Sequence, residues 1–403
     1  MLPSAAICEG FGTVMNNRLG QMTLFQDTGG DPRGAASQFA DVLTAYGAIG
    51  DAACGNPPGL ARRKASTAVS LARVAECEPH ECDAMYFAGL LHAVGAVGNP
   101  AYRKDERLSE RLARMESWDT PSMGAQICEH IPALPAQTAD IVRWQAECWD
   151  GTGYPDQLRW HGIPRPAMLL ALADTVVRAA DPEEALTAVA MQSGRAFSPD
   201  MTRTFTMWFH VSGGEAETAE PPLEALRDVS AASTLALMDA IADRIDKHNG
   251  DEGRWRRVER LATASAALLN VDATENERLA LAVRLYGAGE IAKSQQSEAS
   301  FDPLARLGID DRAAHAVLAA KLVEENPTLG RAAAVLRARS EWYDGTGKPD
   351  GLFHRAIPAA AGLLAAAIAY DALGHKDRID TAAGTQFDPQ TVRAVLEAAR
   401  TRA

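Results

Sequence analysis

The residues best placed to do chemistry occur in a pattern that appears twice. Asp150-Gly151-Thr152-Gly153 returns as Asp344-Gly345-Thr346-Gly347, 194 residues further on. Each copy has a glutamate three positions before the aspartate, Glu147 and Glu341, and an Ile-Pro pair 13 positions after it, Ile163-Pro164 and Ile357-Pro358. Each then runs into a helix rich in Ala and Leu. Agreement of all these features in one register is the mark of an internal duplication. Glycine and proline set the turn geometry of such a loop. The acidic residues can tie the loop internally, Asp by capping a turn and Glu by joining a local hydrogen-bond network, or they can present a docking surface to a partner. The sequence contains no P-loop, no dinucleotide-binding G-x-G-x-x-G, no H-E-x-x-H and no G-x-S-x-G, so the chemistries those motifs support are not indicated.

The segment Glu147-Cys148-Trp149-Asp150-Gly151-Thr152-Gly153-Tyr154-Pro155 resembles the H-H-E-x-x-D-G-x-G-Y-P signature of HD-GYP domains, a branch of the helical, metal-dependent HD phosphohydrolases. The second copy, Glu341 to Pro349, matches with Lys348 in the Tyr slot. Upstream, Leu90-Leu91-His92-Ala93-Val94-Gly95-Ala96-Val97-Gly98 resembles the family's L-L-H-D-I-G-K-I-G, and Leu285 to Ile291 is its counterpart. His92 precedes Asp150 by 58 residues, and Tyr286 precedes Asp344 by the same 58. The resemblance implies a fold of two tandem HD-GYP-like helical bundles. It also implies an ancestral di- or tri-metal site, built from His and Asp, that would turn water into a nucleophile against a phosphodiester.

Carried over slot by slot, that site is largely dismantled. The early-helix His falls at Leu60 and Arg254. The His-Asp pair falls at His92-Ala93 and Tyr286-Gly287, and the following Lys at Ala96 and Glu290. The middle His falls near Thr120 and at His315, the His-His pair at Gln145-Ala146 and Arg339-Ser340, and the last Asp at Asp174 and Ile368. Only His92, Asp174 and His315 remain as vestigial ligands, too few for a polynuclear centre, so no catalytic residue, metal or cofactor is expected. His92 by itself reads as a hydrogen-bonded core histidine. The retained loop residues Glu147, Asp150, Gly151, Gly153 and Tyr154, with Glu341, Asp344, Gly345, Gly347 and Lys348, are candidates for docking. Arg254 and Arg339 are candidates for holding an anion in place of metal charge.

The elements that must position these residues are helical. Apolar residues recur at helical spacing almost throughout, as in Ala65, Ala68, Val69 and Ala72, and alternating β-branched runs are scarce, which predicts an all-α protein. Trp144, Trp149, Trp208 and Trp342 read as core. The expected organisation is an N-terminal segment over 1–40, poorly ordered or in short helices, and a first repeat over 41–210. A Gly-, Pro- and acid-rich linker over 211–222 precedes a second repeat over 223–403. With 403 residues, 47% hydrophobic and 23% charged, the chain can bury a sizeable core. Its net charge of −13 argues against DNA as a partner. The short basic clusters, Arg62-Arg63-Lys64 and Arg254, Arg256 and Arg257, read as solvated helix faces. No apolar run approaches the ~20 residues of a membrane span. No secretory signal is visible, and six cysteines without a C-x-x-C pair suit reduced thiols in the cytoplasm.

The reading is therefore a catalytically inactive HD-GYP-like signalling or scaffold protein. It would act on a protein partner, either a signalling protein of the diguanylate-cyclase type that the resemblance implies or a second copy of itself in a homodimer. Two alternatives stand beside it. One is a non-hydrolysing sensor of a cyclic dinucleotide or another phosphate ligand. The other is a residual metal-dependent phosphohydrolase built in repeat one on His92 and Asp174 with Glu147.

Overall fold

The computed structural model describes residues 32–99, 120–296, 311–373 and 376–400. Seventeen α-helices lie among them, and apart from two single bridges, Ser193–Phe197 and Ala383–Phe387, these residues contain no strand. The expected all-α class is what the chain adopts. The first repeat runs through α1 (Pro32–Cys54), α2 (Leu60–Val74), α3 (Pro79–Leu90), α4 (Thr120–Glu129), α5 (Thr138–Trp144), α6 (Arg165–Arg178), α7 (Pro182–Met191) and α8 (Pro199–Ser212). The second runs through α9 (Ala231–Asn249), α10 (Arg254–Leu268), α11 (Ala273–Leu285), α12 (Ala288–Gln296), α13 (Asp311–Lys321), α14 (Ala333–Ala338), α15 (Ala359–Leu373), α16 (Lys376–Thr381) and α17 (Pro389–Arg400). The order is the same in both, except that α12 stands where the first repeat has a short 3-10 turn, Val94–Ala96.

Local chemistry fixes where these helices begin and end. Asp181, Ser198, Ser230 and Asp272 each place a side-chain oxygen on a backbone N–H of the first turn of the helix that follows. Helices α2 and α10 start differently. Both follow a left-handed glycine, Gly59 and Gly253, each at φ 77°. Both then take a buried carboxylate from the preceding helix. Asp51 Oδ2 accepts from Ala61 N at 2.8 Å, and Asp246 Oδ2 accepts from Trp255 N at 2.8 Å. A carboxylate there satisfies an otherwise orphaned donor and sits at the positive end of the helix dipole.

Two boundaries differ from the sequence reading. Helix α1 begins at Pro32, inside the stretch expected to be poorly ordered or in short helices, and runs unbroken to Cys54, with Phe39, Leu43, Tyr46 and Ile49 as core residues. A helix with that many apolar positions must bury them. Residues 1–31 lie outside the described residues. At the linker, α8 continues to Ser212, and Gly213 ends it in a left-handed cap whose N–H donates to Phe209 O. The following segment lies against the first repeat, where Ala219 N donates to Ser66 Oγ at 3.0 Å.

One apolar core runs through both repeats. Its seam pairs like with like. Val42, Ala45, Tyr46 and Ile49 of α1 meet Met238 and Ile241 of α9, with Leu285 and Leu329 beside them. Polar contacts border it: Arg244 Nε donates to Val97 O at 3.2 Å and Gly98 N to His248 Nδ1 at 3.3 Å. Asn326 Nδ2 donates to Asp41 O at 2.8 Å, and Thr328 Oγ1 bonds Asp41 Oδ2 at 2.5 Å. No described helix is long and apolar enough to cross a membrane.

Candidate functional site

In the first repeat the side chain that meets two of the ligand slots, Gln145 and Asp174, is a lysine. Lys64, on α2, is 2% exposed. Its Nζ donates to Asp174 Oδ1 of α6 at 3.0 Å and to Gln145 Oε1, just past α5, at 2.9 Å. Gln145 Nε2 in turn donates to His92 O at 3.1 Å and to Val142 O at 3.0 Å. Asp174 Oδ2 accepts from Arg178 Nε at 2.7 Å. Burial alone would raise the Asp174 carboxyl, but the Lys64 ammonium and the Arg178 guanidinium outweigh it and hold the group at about 2. The Lys64 ammonium is itself lowered by burial, with Asp174 opposing the shift.

His92 stands at the edge of this network. Its Nδ1 lies 3.0 Å from Gly89 O, and because a carbonyl only accepts, the proton belongs on Nδ1. Nε2 is buried without a hydrogen-bond partner, 3.7 Å from Asp51 Oδ1. Burial pushes the imidazole well below its usual range, and the nearby Lys64 charge pushes the same way. Burial likewise raises Asp51 to about 6, against its bonds from Ala61 N and Asn56 Nδ2.

The second repeat resolves the same space by other means. The positions 194 residues after Lys64 and Asp174 are Val258 and Ile368, both packed in the apolar core. Charge has moved to other slots. Arg254 Nη1 donates to Glu290 Oε1 at 3.2 Å. The Arg254 and Arg339 guanidinium carbons lie 5.3 and 5.9 Å from the centre of the Tyr286 ring. Nε and Nη2 of Arg339 and the hydroxyl of Tyr286 are buried without a hydrogen-bond partner. Burial lowers the Arg339 guanidinium, with Glu290 opposing. His315 is half-buried on α13, where its main-chain oxygen is approached so closely by Gly289 that a Cβ there would clash. Gly95 stands in the same relation to Thr120 O.

The two Gly-rich loops are near copies in detail. Glu147 Oε1 and Oε2 accept from Asp156 N at 2.7 Å and Leu158 N at 3.0 Å, and Glu341 accepts from Asp350 N at 2.6 Å and Leu352 N at 3.0 Å. Asp150 and Asp344 each accept from the N–H and hydroxyl of the Thr two residues on. Arg143 grips Asp156, and Arg337 grips Asp350, with two hydrogen bonds each. Gly151 and Gly345 sit at φ 80° and 85°. Gly153 and Gly347 pass so close to the backbone of 147–148 and 341–342 that no side chain fits. Glu147, considered as a third ligand beside His92 and Asp174, has both oxygens engaged in its own loop. Tyr154 and Lys348 project outward.

Three readings from sequence need correction. Arg62 and Arg63 are solvated as expected, but Lys64 is not, because it shares the inward face of α2 with Ala61, Ala65 and Ala68. The cluster around Arg254 divides likewise: Arg256 is exposed, whereas the Arg254 side chain is 18% exposed. Trp208 is core, but Trp342 is 38% exposed. Asp51 and Asp246 were missed. The signal that could have found Asp51 is a lone acid in an apolar stretch shortly before a Gly that opens a helix, whereas Asp246 stands among Asp239, Asp243 and Asp251 and carries no such signal.

An HD domain family model matches residues 50–197 and again residues 236–389. The chain belongs to the HD domain family, with two HD domains in tandem. Over 145 residues it is 31% identical to the cyclic di-GMP phosphodiesterase of Vibrio cholerae serotype O1, covering 32% of this chain and 29% of that protein. The chain thus spans less than a third of that relative's length. The crystal structure of a cyclic GMP-AMP specific phosphodiesterase of V. cholerae resembles it with a TM-score of 0.62 at 19% identity, over 90% of this chain and 97% of that one. That likeness establishes a shared HD fold.

The metal centre implied by the HD-GYP resemblance does not fit the side chains present. A lysine ammonium lies between Asp174 and Gln145, and Val258, Ile368 and two arginines occupy the matching region of the second HD domain. Among the described residues no three His, Cys, Asp or Glu side chains converge as a metal site.

Proposed function

We propose that this protein is a non-hydrolysing member of its family that works by binding, as a signalling or scaffold protein without a resident metal. The observation that carries this reading is Lys64 Nζ at 3.0 Å from Asp174 and 2.9 Å from Gln145. A divalent ion about 4 Å from that ammonium would meet a repulsion of roughly 8 kcal/mol at an effective dielectric near 20. One carboxylate already shared with Arg178 does not offset that. The relatives' hydrolysis of cyclic dinucleotides would then be lost here while their fold is retained.

Exposed aromatic residues favour a protein partner. Tyr154 and Trp160, 55% and 58% exposed, stand on and beside the first Gly-rich loop, and Phe353, 61% exposed, flanks the second. Aromatic side chains of this kind are enriched at interfaces. The partner would be a signalling protein or a second copy of the chain. Five cysteines among the described residues, none of them in a disulfide, suit the cytoplasm.

The test is elemental analysis of the purified full-length protein together with hydrolysis assays on cyclic di-GMP and bis-p-nitrophenyl phosphate. The reading expects no stoichiometric iron or manganese and no turnover. A full complement of either metal, or turnover abolished by His92→Ala, would overturn it.

A further inference from the structure

We infer that the second HD domain holds a binding site for a phosphate-type oxyanion, formed by the guanidinium of Arg339, the hydroxyl of Tyr286 and the outer edge of Arg254. The positions are those where the first domain has Gln145, His92 and Leu60, a set with no such charge.

The case begins with an imbalance. Arg254 has carboxylates on two sides, Glu290 at 3.2 Å and Asp251 at 3.9 Å. Among the described residues Arg339 has none within ion-pair distance, and Nε and Nη2, two donors along one edge of a planar fork, are shielded from solvent without an acceptor. Buried polar atoms are almost always satisfied, and a guanidinium left so is an unusual and unfavourable state. Beside it the Tyr286 hydroxyl, on a side chain 2% exposed, is equally unsatisfied. The missing partner must therefore accept several hydrogen bonds and carry negative charge. A tetrahedral oxyanion does both, and a guanidinium fork matches two of its oxygens.

The guanidiniums of Arg254 and Arg339 both lie against the Tyr286 ring, close enough for the Arg254 charge to act on Arg339. The Arg254 and Glu290 side chains are 18% and 26% exposed, so the rim of the cluster meets solvent while the Arg339 donors lie deeper. Glu290 and Asp251 both pair with Arg254, which leaves the buried edge of the Arg339 fork without a hydrogen-bond acceptor. In the first domain Lys64 meets Asp174 and Gln145, so no comparable charge is left over.

The test titrates the full-length protein, in chloride buffer, with inorganic phosphate and separately with cyclic di-GMP, following the melting temperature and the heat of binding. Wild type should rise by about 3 °C at saturation. Arg339→Met should melt no lower than wild type without ligand and should not respond to either ligand. Tyr286→Phe, which keeps the packing, should bind about ten-fold more weakly. A response to phosphate at least as sensitive as that to cyclic di-GMP identifies a free oxyanion. A response to cyclic di-GMP at much lower concentration identifies a phosphodiester. No response of wild type to either, or equal responses of wild type and both variants, overturns the site. The readout is binding, so it stands apart from the metal and turnover assays above.

Discussion

Lys64 Nζ and Asp174 Oδ1 meet at 3.0 Å across α2 and α6, and the corresponding pair in the second repeat is Val258 and Ile368. One buried position thus carries an ion pair in one copy and an apolar contact in the other. Breaking a buried pair by removing one partner is costly, whereas replacing both with apolar residues is often neutral. Lys64→Val alone should destabilise the protein by about 3 kcal/mol. Lys64→Val with Asp174→Ile should recover most of that loss. Urea denaturation of the two singles and the double gives the coupling energy, and simple additivity would contradict the pairing.

The pH dependence of stability should carry the mark of Asp51. Its folded value, about 6, lies above the ordinary 3.8. The folded state therefore holds the proton more tightly than the unfolded chain, so this stability is present below pH 4 and is lost as pH rises through 6. For a carboxyl that is 2% exposed, the shift corresponds to roughly 3 kcal/mol. Asp174 acts oppositely: held at about 2, it supports the fold above pH 4 and loses that contribution as pH falls toward 2. Asp51→Asn, which keeps an acceptor for Ala61 N, should flatten the decline between pH 4 and 6. A wild-type decline left unchanged by this substitution would refute the assignment.

Close backbone approach makes a sharper demand on glycine than turn geometry does. Gly153→Ala and Gly347→Ala each drive a methyl into main-chain atoms of the same loop and should each cost about 3 kcal/mol. Gly162→Ala, where nothing lies within 4 Å, serves as the control and should fall within about 0.5 kcal/mol of wild type. Thermal melts of the three variants are sufficient.

The continuous core between α1 and α9 predicts one calorimetric transition for the whole chain. The seam is built on Tyr46, Ile49, Met238 and Ile241 and bordered by Asp41 and Thr328. Introducing a charge there, as in Ile241→Asp, should split the transition or lower it by many degrees. Two separate transitions in wild type would show that the seam does not couple the repeats.

The sequence made the duplication, the helical class and the Gly-rich loops legible, because those depend on local spacing and turn residues. Glu147 and Glu341 read correctly as members of a loop network for the same reason: their partners lie within 11 residues. What escaped notice was non-local. Lys64 looked like one of three basic surface residues, and only the meeting of α2 with α6 turns it inward. Asp51 and Asp246 were hidden because the capped N–H lies ten residues on in one copy and nine in the other. That one-residue difference takes them out of the common 194-residue register. Trp342 was misread because its neighbour Glu341 faces inward while the loop turns the indole outward.

The bonds made by Glu147 and Glu341 have a consequence for how such a protein can change over time. Each loop is drawn into shape by its own carboxylate and by backbone donors a few residues away. No side chain at a ligand slot takes part in those bonds, and the slot residues Ala146 and Ser340 join the loop through main-chain oxygens, which accept from Tyr154 N and Lys348 N. A change of side chain at those slots therefore leaves the loop's own bonds in place. The two copies are thereby free to differ at those slots, as Gln145 and Asp174 differ from Arg339 and Ile368, while their loops stay alike.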